Sequence, residues 1–240
     1  MTTIQTTTKI PVWDAPVRIF HWLLAASFAG AFLTAESEHW RNLHVMLGYT
    51  MLGLILFRLV WGFTGSRHAR FSSFVAGPAA VWKYLRSLAS GHPQHHVGHN
   101  PAGALAILAL LGLGILTAAS GWAVYNDVGG EWVEELHEGA AYAMLAVVGL
   151  HVAGVLASSL LHRENLVAAM ISGRKSGTPD QAIGNRHRIL GAVLFVAVVA
   201  FWAAWNSGAG VPGSREFDRA ALVAPEHASR EAGSKRKDDD

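Results

Sequence analysis

Four histidines lie in otherwise apolar stretches of this 240-residue chain: His21, His44, His137 and His151. An ionisable side chain inside an apolar span is costly and usually marks a functional site. Any single one of them is also explained by a hydrogen bond to a neighbouring helix. As a set of four, they favour a buried cofactor that is bound through imidazole. The chain has no Cys, which excludes iron–sulfur clusters, Cys-ligated metals and covalently attached haem.

His137 and His151 are 14 positions apart on one predicted helix. At about 100° per residue they are only about 40° out of phase, so they share a face of that helix. At 1.5 Å per residue they are about 21 Å apart along its axis. One metal ion cannot bridge that distance, whereas two separate cofactors can each take one histidine.

Each cofactor needs a second ligand at a matching depth. His21 begins the first apolar segment and His44 begins the second, which runs in the opposite direction. Depth therefore pairs His21 with His151 and His44 with His137. Two stacked bis-histidine sites are what two haem b groups require. A bis-imidazole iron has no vacant position for a substrate, which favours electron transfer over oxygen chemistry at the iron.

The elements that position these histidines are five apolar segments, at 17–35, 44–63, 101–125, 136–161 and 189–205. Each approaches the 20 residues or so that a membrane helix needs. Charged residues are 15% of the chain, against roughly 25% in soluble proteins. The alternative, a soluble bundle with buried helices, does not accommodate five such segments. The sequence therefore predicts an all-α integral membrane protein, a four-helix haem-binding bundle plus a fifth transmembrane helix.

The loops differ in charge between the two sides. One side has Arg67, Arg70, Lys83, Arg86, Arg163, Arg174, Lys175, Arg186 and Arg188. The opposite side has Glu36 and Glu38, and the loop before the fourth helix has Asp127, Glu131, Glu134 and Glu135. The excess of Lys and Arg in cytoplasmic loops predicts a cytoplasmic N-terminus and an external C-terminus. Interfacial tryptophans are expected inside at Trp13, Trp61 and Trp82, and outside at Trp40, Trp122, Trp132 and Trp205.

Residues around the bundle suggest secondary sites. The segment 74–90 has helical apolar spacing and is predicted to lie along the cytoplasmic interface. Arg18, Arg41 and Arg58 could pair with haem propionates, or could simply be interfacial anchors. A loop with His92, His95, His96 and His99 has a spacing that could bind a divalent metal, but no carboxylate lies nearby in sequence and a plain polar loop is the favoured interpretation. His99 could instead lie near the cytoplasmic haem or a quinone headgroup. No nucleotide-binding or nucleic-acid-binding motif is present.

Several of these stretches resemble a known family. They are the residues VWDAPVRIFHW at 12–22, the pattern His44…Gly48 with RLVWG at 58–62, GHNP at 98–101, and the pair His137…His151. Together they cover about 12–175 and are similar to the bacterial cytochrome b561 family, which groups with the cytochrome b subunits of nickel–iron hydrogenases. The resemblance implies a four-helix core with two b haems held by His21, His44, His137 and His151. It also implies quinone-linked electron transfer across the inner membrane.

The expected organisation is a cytoplasmic segment (1–16), a di-haem core (17–161), a cytoplasmic loop (162–188), a fifth transmembrane helix (189–205) and a flexible periplasmic tail (206–240). The expected function is electron transfer between the quinone pool, ubiquinone or menaquinone, and a periplasmic redox partner such as a c-type cytochrome. One alternative is an anchor and electron-transfer subunit of a periplasmic dehydrogenase or hydrogenase. Another is a superoxide:quinone oxidoreductase, which the acidic outer loop disfavours because it repels an anion. The short connection at 36–43 favours a stand-alone cytochrome.

Overall fold

Local signals in the sequence determine where the helices begin. Asp14 caps the first helix, because its Oδ1 accepts a hydrogen bond of 2.8 Å from the Val17 N–H, and Pro16 occupies the first turn. Asn100 caps the third long helix in the same way, accepting from the Gly103 N–H at 2.7 Å, with Pro101 following. These caps fix the first turn of two apolar helices at the same end of the molecule.

The computed structural model describes residues 8–90, 94 and 96–208. Its helices are α1 (Ala15–Thr34), α2 (Arg41–Thr64), α3 (Pro78–Ala89), α4 (Pro101–Tyr125), α5 (Glu131–Leu161), α6 (Leu166–Ser172) and α7 (Arg188–Asn206). Two short strands are β1 (Thr8–Pro11) and β2 (Arg174–Gly177). Helices α1, α2, α4, α5 and α7 are long and apolar enough to cross a membrane, which confirms the predicted fold class.

The five long helices alternate in direction and pack as neighbours, α1 on α2, α2 on α4, and α4 on α5. Helix α7 packs mainly on α1, where Gly191 allows a close approach: a Cβ at this position would lie 2.8 Å from the Cβ of Ala15. Trp202 and Trp205 of α7 donate to Thr50 and Asn42 of α2. The fifth helix is therefore joined to the four-helix core by close packing and by two partly buried hydrogen bonds.

One end of the bundle has the two strands, and we call it the strand side; the other end is the far side. Strands β1 and β2 are antiparallel, with Thr8 opposite Gly177 and Pro11 opposite Arg174. Gly173 ends α6 with φ 76°, a conformation that favours glycine, and its carbonyl accepts from the N–H groups of Val12 and Trp13. The chain before α1 is thus fixed to the segment after α5.

A buried charge cluster supports this junction. Glu164 lies 3.2 Å from the Lys9 Nζ and 3.9 Å from the Lys175 Nζ, and it also accepts a hydrogen bond from the Ser176 N–H. Burial acts to raise the pKa of Glu164, but these partners outweigh it, so its pKa lies below the ordinary value. Burial lowers the pKa of Lys175, which Glu164 partly counters.

Four expectations need correction. Helix α5 begins at Glu131, so Glu131, Glu134 and Glu135 lie on its first turns and not in a loop. The interfacial helix begins at Pro78 and not at 74, because Phe74 packs inward against the bundle. The connection before α2 is shorter than expected, since α2 begins at Arg41.

The fourth correction concerns the tryptophans. Trp13, Trp61 and Trp205 are buried, because each packs against its neighbours and two of them donate hydrogen bonds inside the protein. They are not interfacial anchors. The remaining predicted anchors are exposed: Trp40, Trp82, Trp122 and Trp132. The predicted tail lies outside the described residues from 209 onward.

Candidate haem centres

The far-side histidines, His44 of α2 and His137 of α5, face each other across the bundle. Their ring centroids are 6.1 Å apart and their planes are inclined by 81°. A carbonyl oxygen fixes each ring: the Nδ1 of His44 donates to the Ala31 oxygen at 2.8 Å, and that of His137 to the Thr117 oxygen at 2.9 Å. Because a carbonyl only accepts, Nδ1 carries the proton and Nε2 is the nitrogen left to bind a metal.

The strand-side histidines, His21 of α1 and His151 of α5, form a second facing pair. Their ring centroids are 6.5 Å apart, with an interplanar angle of 53°. Trp22 packs edge-on against His21 at 5.0 Å. The His21 Nδ1 is buried and has no hydrogen-bond partner among the described residues. The structure therefore pairs the four histidines as their depths predict, and their role as iron ligands stays a prediction.

The spacing of both pairs fits an iron between two imidazoles. A metal–imidazole bond is about 2 Å long, so two such bonds in line, with the radius of each ring, separate the centroids by about 6 Å. Glycines one turn away leave room beside two of the rings. A Cβ at Gly48, after His44, or at Gly154, after His151, would meet no atom within 4 Å. The donor set and the space suit a flat macrocycle held by two histidines.

Helix α5 positions one histidine of each pair through a seven-residue spacing. His137, Met144, His151 and Ser158 follow one another at this interval and face the interior. Met144 lies midway and is 2% exposed, packed with Phe28 and Met51. A layer of apolar side chains thus separates the two histidine pairs, which are about 21 Å apart along α5.

Helix α4 supports the far-side pair at a glycine. A Cβ at Gly121 would lie 2.7 Å from Cε1 and 3.1 Å from Nδ1 of His137. Together with the Thr117 carbonyl, Gly121 defines the position of the His137 ring. Sequence reasoning missed Gly121, since one glycine among several small residues gives no signal of its own.

The arginines proposed for propionates differ in their surroundings. Arg58 is 3% exposed, donates to the Ala69 carbonyl at 3.0 Å, and lies over the rings of Phe71 and Phe74. Arg18 donates to the carbonyl of Ile171 in α6. Arg41 is largely exposed and lies 3.7 Å from Glu38. Only Arg58 is buried in the way that a ligand site inside the bundle requires.

His99 lies close to Arg58 on the strand side. Its ring packs against Phe74 at 4.5 Å and Trp13 at 4.6 Å. Burial, followed by the nearby Arg58, lowers the pKa of His99 to about 3, so the ring is neutral at physiological pH. A cavity of about 210 Å³ opens beside it, lined by polar groups that include His68 and Gln181.

The histidine loop that could bind a divalent metal is described only in part. His92 and His95 lie outside the described residues. His96 and His99 are placed, but no group of three or more His, Asp or Glu able to hold a metal ion occurs in the part of the chain that the structure describes.

Comparison with known proteins identifies the family of this chain. The family model of the prokaryotic cytochrome b561 matches residues 12–173. The chain belongs to the prokaryotic cytochrome b561 family. It is a multi-pass bacterial membrane protein and an electron-transfer cytochrome that binds haem b, which agrees with the two facing histidine pairs.

Three curated proteins that are similar to the chain each bear the name probable Ni/Fe-hydrogenase B-type cytochrome subunit. The protein of Rhodobacter capsulatus is 23% identical, over 74% of this chain and 86% of the relative. That of Azotobacter vinelandii is 26% identical, over 74% of this chain and 93% of the relative. That of Rhizobium leguminosarum is 24% identical, over 70% and 89%. No solved structure matches the chain.

Proposed function

We propose that this cytochrome holds two b haems, one between His21 and His151 and one between His44 and His137, and transfers electrons from one side of the membrane to the other. The observation that supports this proposal is the pair of centroid separations, 6.5 Å and 6.1 Å, each suited to one iron. His137 and His151 lie about 21 Å apart along α5, which supports one histidine pair toward each leaflet.

Each part of the chain has a distinct task in this proposal. The two histidine pairs would hold haem b, which would supply a one-electron carrier with no position left for a substrate. The Ala31 and Thr117 carbonyls orient His44 and His137 before any ligand arrives. The layer with Met144 excludes water between the two sites. The histidines and this layer fix the distance across which electrons pass.

The charge distribution supports an orientation. The strand side has the basic loops, including Arg67, Arg70 and Arg163, and the far side has Glu36, Glu38 and the acidic start of α5. By the positive-inside rule the strand side is cytoplasmic and the far side is periplasmic. In this orientation, a reporter that works only in the periplasm should be active when it is fused after Asp240. A reporter that works only in the cytoplasm should be inactive there.

We further infer that quinone and a periplasmic redox protein are the two electron-exchange partners. Quinone is available in the lipid, and the helices expose wide apolar faces to it. The first turns of α5 present Glu131, Glu134 and Glu135 beside His137, and this negative surface suits a basic protein such as a c-type cytochrome. Because the acids would repel an anionic substrate, superoxide is disfavoured.

A second candidate partner is a hydrogenase or another periplasmic dehydrogenase. The curated relatives are named as hydrogenase cytochrome subunits, which favours this candidate. The two partners are distinguished by isolating the cytochrome under mild conditions. A stable complex with a dehydrogenase supports the subunit function, whereas an isolated cytochrome that exchanges electrons rapidly with a soluble c-type cytochrome supports the stand-alone function.

The experiment that tests the proposal is a haem count combined with a redox titration. Pyridine haemochrome analysis is expected to give two b haems per chain, and both should have low-spin, bis-histidine spectra. Addition of quinol should reduce both haems. One haem per chain would contradict the two-site arrangement.

A further inference from the structure

Arg58 is a buried cation that forms no ion pair with any acid of the described ranges, 8–90, 94 and 96–208. Arg58 as a whole is 3% exposed, and its guanidinium makes one hydrogen bond to the described residues, from Nη2–H to the Ala69 carbonyl. Its Nη1 is buried and has no hydrogen-bond partner in the part of the chain that the structure describes. The ion pairs among the described residues do not include Arg58. A buried charge is strongly disfavoured unless an anion and hydrogen bonds compensate it, so this position calls for an anion.

The nearest acid cannot serve as that anion, because its oxygens are already used. Asp14 influences Arg58 electrostatically, but its Oδ1 accepts from the Val17 N–H and its Oδ2 accepts from the Trp61 Nε1–H at 3.1 Å. Asp14 is fully buried in these two bonds. The Nη1 of Arg58 therefore remains available to an acceptor from outside the described residues.

A second buried polar atom without a described partner belongs to His99, which contacts the same phenylalanine ring as Arg58. The Nδ1 of His99 is buried and has no hydrogen-bond partner among the described residues. Phe74 touches both groups: its ring centroid is 4.5 Å from that of His99 and 5.9 Å from the Arg58 guanidinium carbon. Leu54 and Ile55, about one turn before Arg58, pack in one cluster with Phe20, which precedes His21 in α1, so Arg58 lies near the depth of the strand-side histidine pair.

We propose that Arg58 and His99 together bind a propionate carboxylate of the haem held by His21 and His151. A guanidinium N–H and a neutral imidazole N–H both donate to a carboxylate, and a charge-assisted bond from arginine is the stronger of the two. The adjacent cavity, lined by His68, Phe74 and His99, gives the carboxylate access to water. This inference rests on the proposed function, because it requires a haem at that pair.

The binding has a measurable electronic consequence. A cation beside the propionate stabilises the reduced, less positive form of the nearby iron centre. Removing the charge of Arg58 therefore lowers the midpoint potential of the strand-side haem. The far-side haem, about 21 Å away along α5, keeps its potential.

The test compares Arg58→Gln, Arg58→Lys and His99→Leu with the wild-type holoprotein in detergent. Two readouts are used: redox potentiometry of both haems, and the propionate bending band in the resonance Raman spectrum. In Arg58→Gln the strand-side potential shifts down and the band moves. In Arg58→Lys the potential stays close to wild type while the band moves, because a lysine cannot reproduce the planar donor geometry. In His99→Leu the band moves with a smaller change of potential.

Arg70→Gln is the matched control, since Arg70 is an exposed arginine on the same side of the bundle. It removes the same charge and should leave the potential and the band unchanged. If Arg58→Gln loses the strand-side haem, the test rests on the propionate bending band of Arg58→Lys. An unmoved band in that variant would overturn the proposal.

Unchanged potentials and an unchanged band in Arg58→Gln, with both haems bound, would also overturn it while leaving the two-haem function intact. If the potentials and the band of Arg58→Gln were unchanged but its KM for quinol were raised, Arg58 and His99 would be assigned to a quinone headgroup instead. A wild-type protein with no strand-side haem would contradict the proposed function itself.

Discussion

Gly121 of α4 lies directly against the imidazole of His137 on α5, so close that a Cβ at position 121 would be 2.7 Å from the ring carbon Cε1. The ring cannot move away freely, because its Nδ1 donates to the Thr117 carbonyl at 2.9 Å. The identity of a residue with no side chain therefore determines the geometry of a proposed iron ligand.

Gly121→Ala should disturb the far-side haem alone. The added methyl displaces the His137 ring, which weakens or breaks one axial bond. We expect a loss of low-spin absorbance equivalent to one haem, or its conversion to a high-spin form, measured by optical and EPR spectroscopy. Gly112→Ala is the control on the same helix, since a Cβ there meets nothing within 4 Å. Equal spectra for both variants would disprove the steric argument.

Single ligand substitutions should remove the haems selectively. His137→Ala is expected to lose the far-side haem and His151→Ala the strand-side haem, because α5 supplies one histidine to each facing pair. Pyridine haemochrome analysis and redox titration should each show about one haem remaining. If His44→Ala matched His151→Ala in its remaining potential, and not His137→Ala, the pairing would be wrong.

Asp14→Ala should destabilise the start of α1. The substitution removes the cap of the Val17 N–H, at about 1 kcal/mol, and leaves the buried Trp61 N–H without an acceptor, at about 1–3 kcal/mol. We expect a lower thermal midpoint for the holoprotein, measured by haem release on heating. Trp61→Phe provides the double-mutant cycle: in its background Asp14→Ala should cost less. Equal costs in both backgrounds would show that the Trp61 bond contributes nothing.

The acidic start of α5 should accelerate encounter with a basic partner. Replacing Glu131, Glu134 and Glu135 by Gln is expected to slow electron transfer to a basic c-type cytochrome, with both haem spectra unchanged. The wild-type rate should fall as salt rises, because exposed charges are screened beyond about 8 Å at physiological ionic strength. Stopped-flow measurement tests both effects. A rate insensitive to salt and to the substitutions would leave these acids without a part in recognition.

Acidification should weaken the junction on the strand side. The pKa of Glu164 in the folded protein lies below its ordinary value of 4.5. The ionised carboxylate therefore adds its full share to the free energy of unfolding when the pH is above 4.5, and this share is lost as the pH falls through the folded-state pKa. Thermal stability measured from pH 6 downward should decline below about 4.5. Glu164→Gln should reduce this decline, whereas Glu134→Gln, at an exposed position, should not. Identical pH profiles for wild type and Glu164→Gln would exclude the cluster as its cause.

Apolar length and helical periodicity were sufficient to predict the membrane helices and the pairing of the four histidines. Apolar length identifies each membrane helix, and a helix of known pitch places His137 and His151 on one face. The strands β1 and β2 were not predicted, because four-residue segments with Lys and Pro have no alternating apolar pattern, and their pairing depends on residues far apart in the chain. Arg58 lies in α2 and His99 lies in the loop before α4, so their shared contact with Phe74 depends on how these elements pack.

The pairing of β1 with β2 also constrains how the protein is made. Pro11 and Arg174 are partners although roughly 160 residues separate them, and four long helices are synthesised between them. The N-terminal strand emerges from the ribosome first, yet its partner arrives only after the fourth of these helices has been completed. Contacts of such high sequence separation form late, because the loop between them must first be closed. The two strands can therefore pair only after all four helices of the core have been translated.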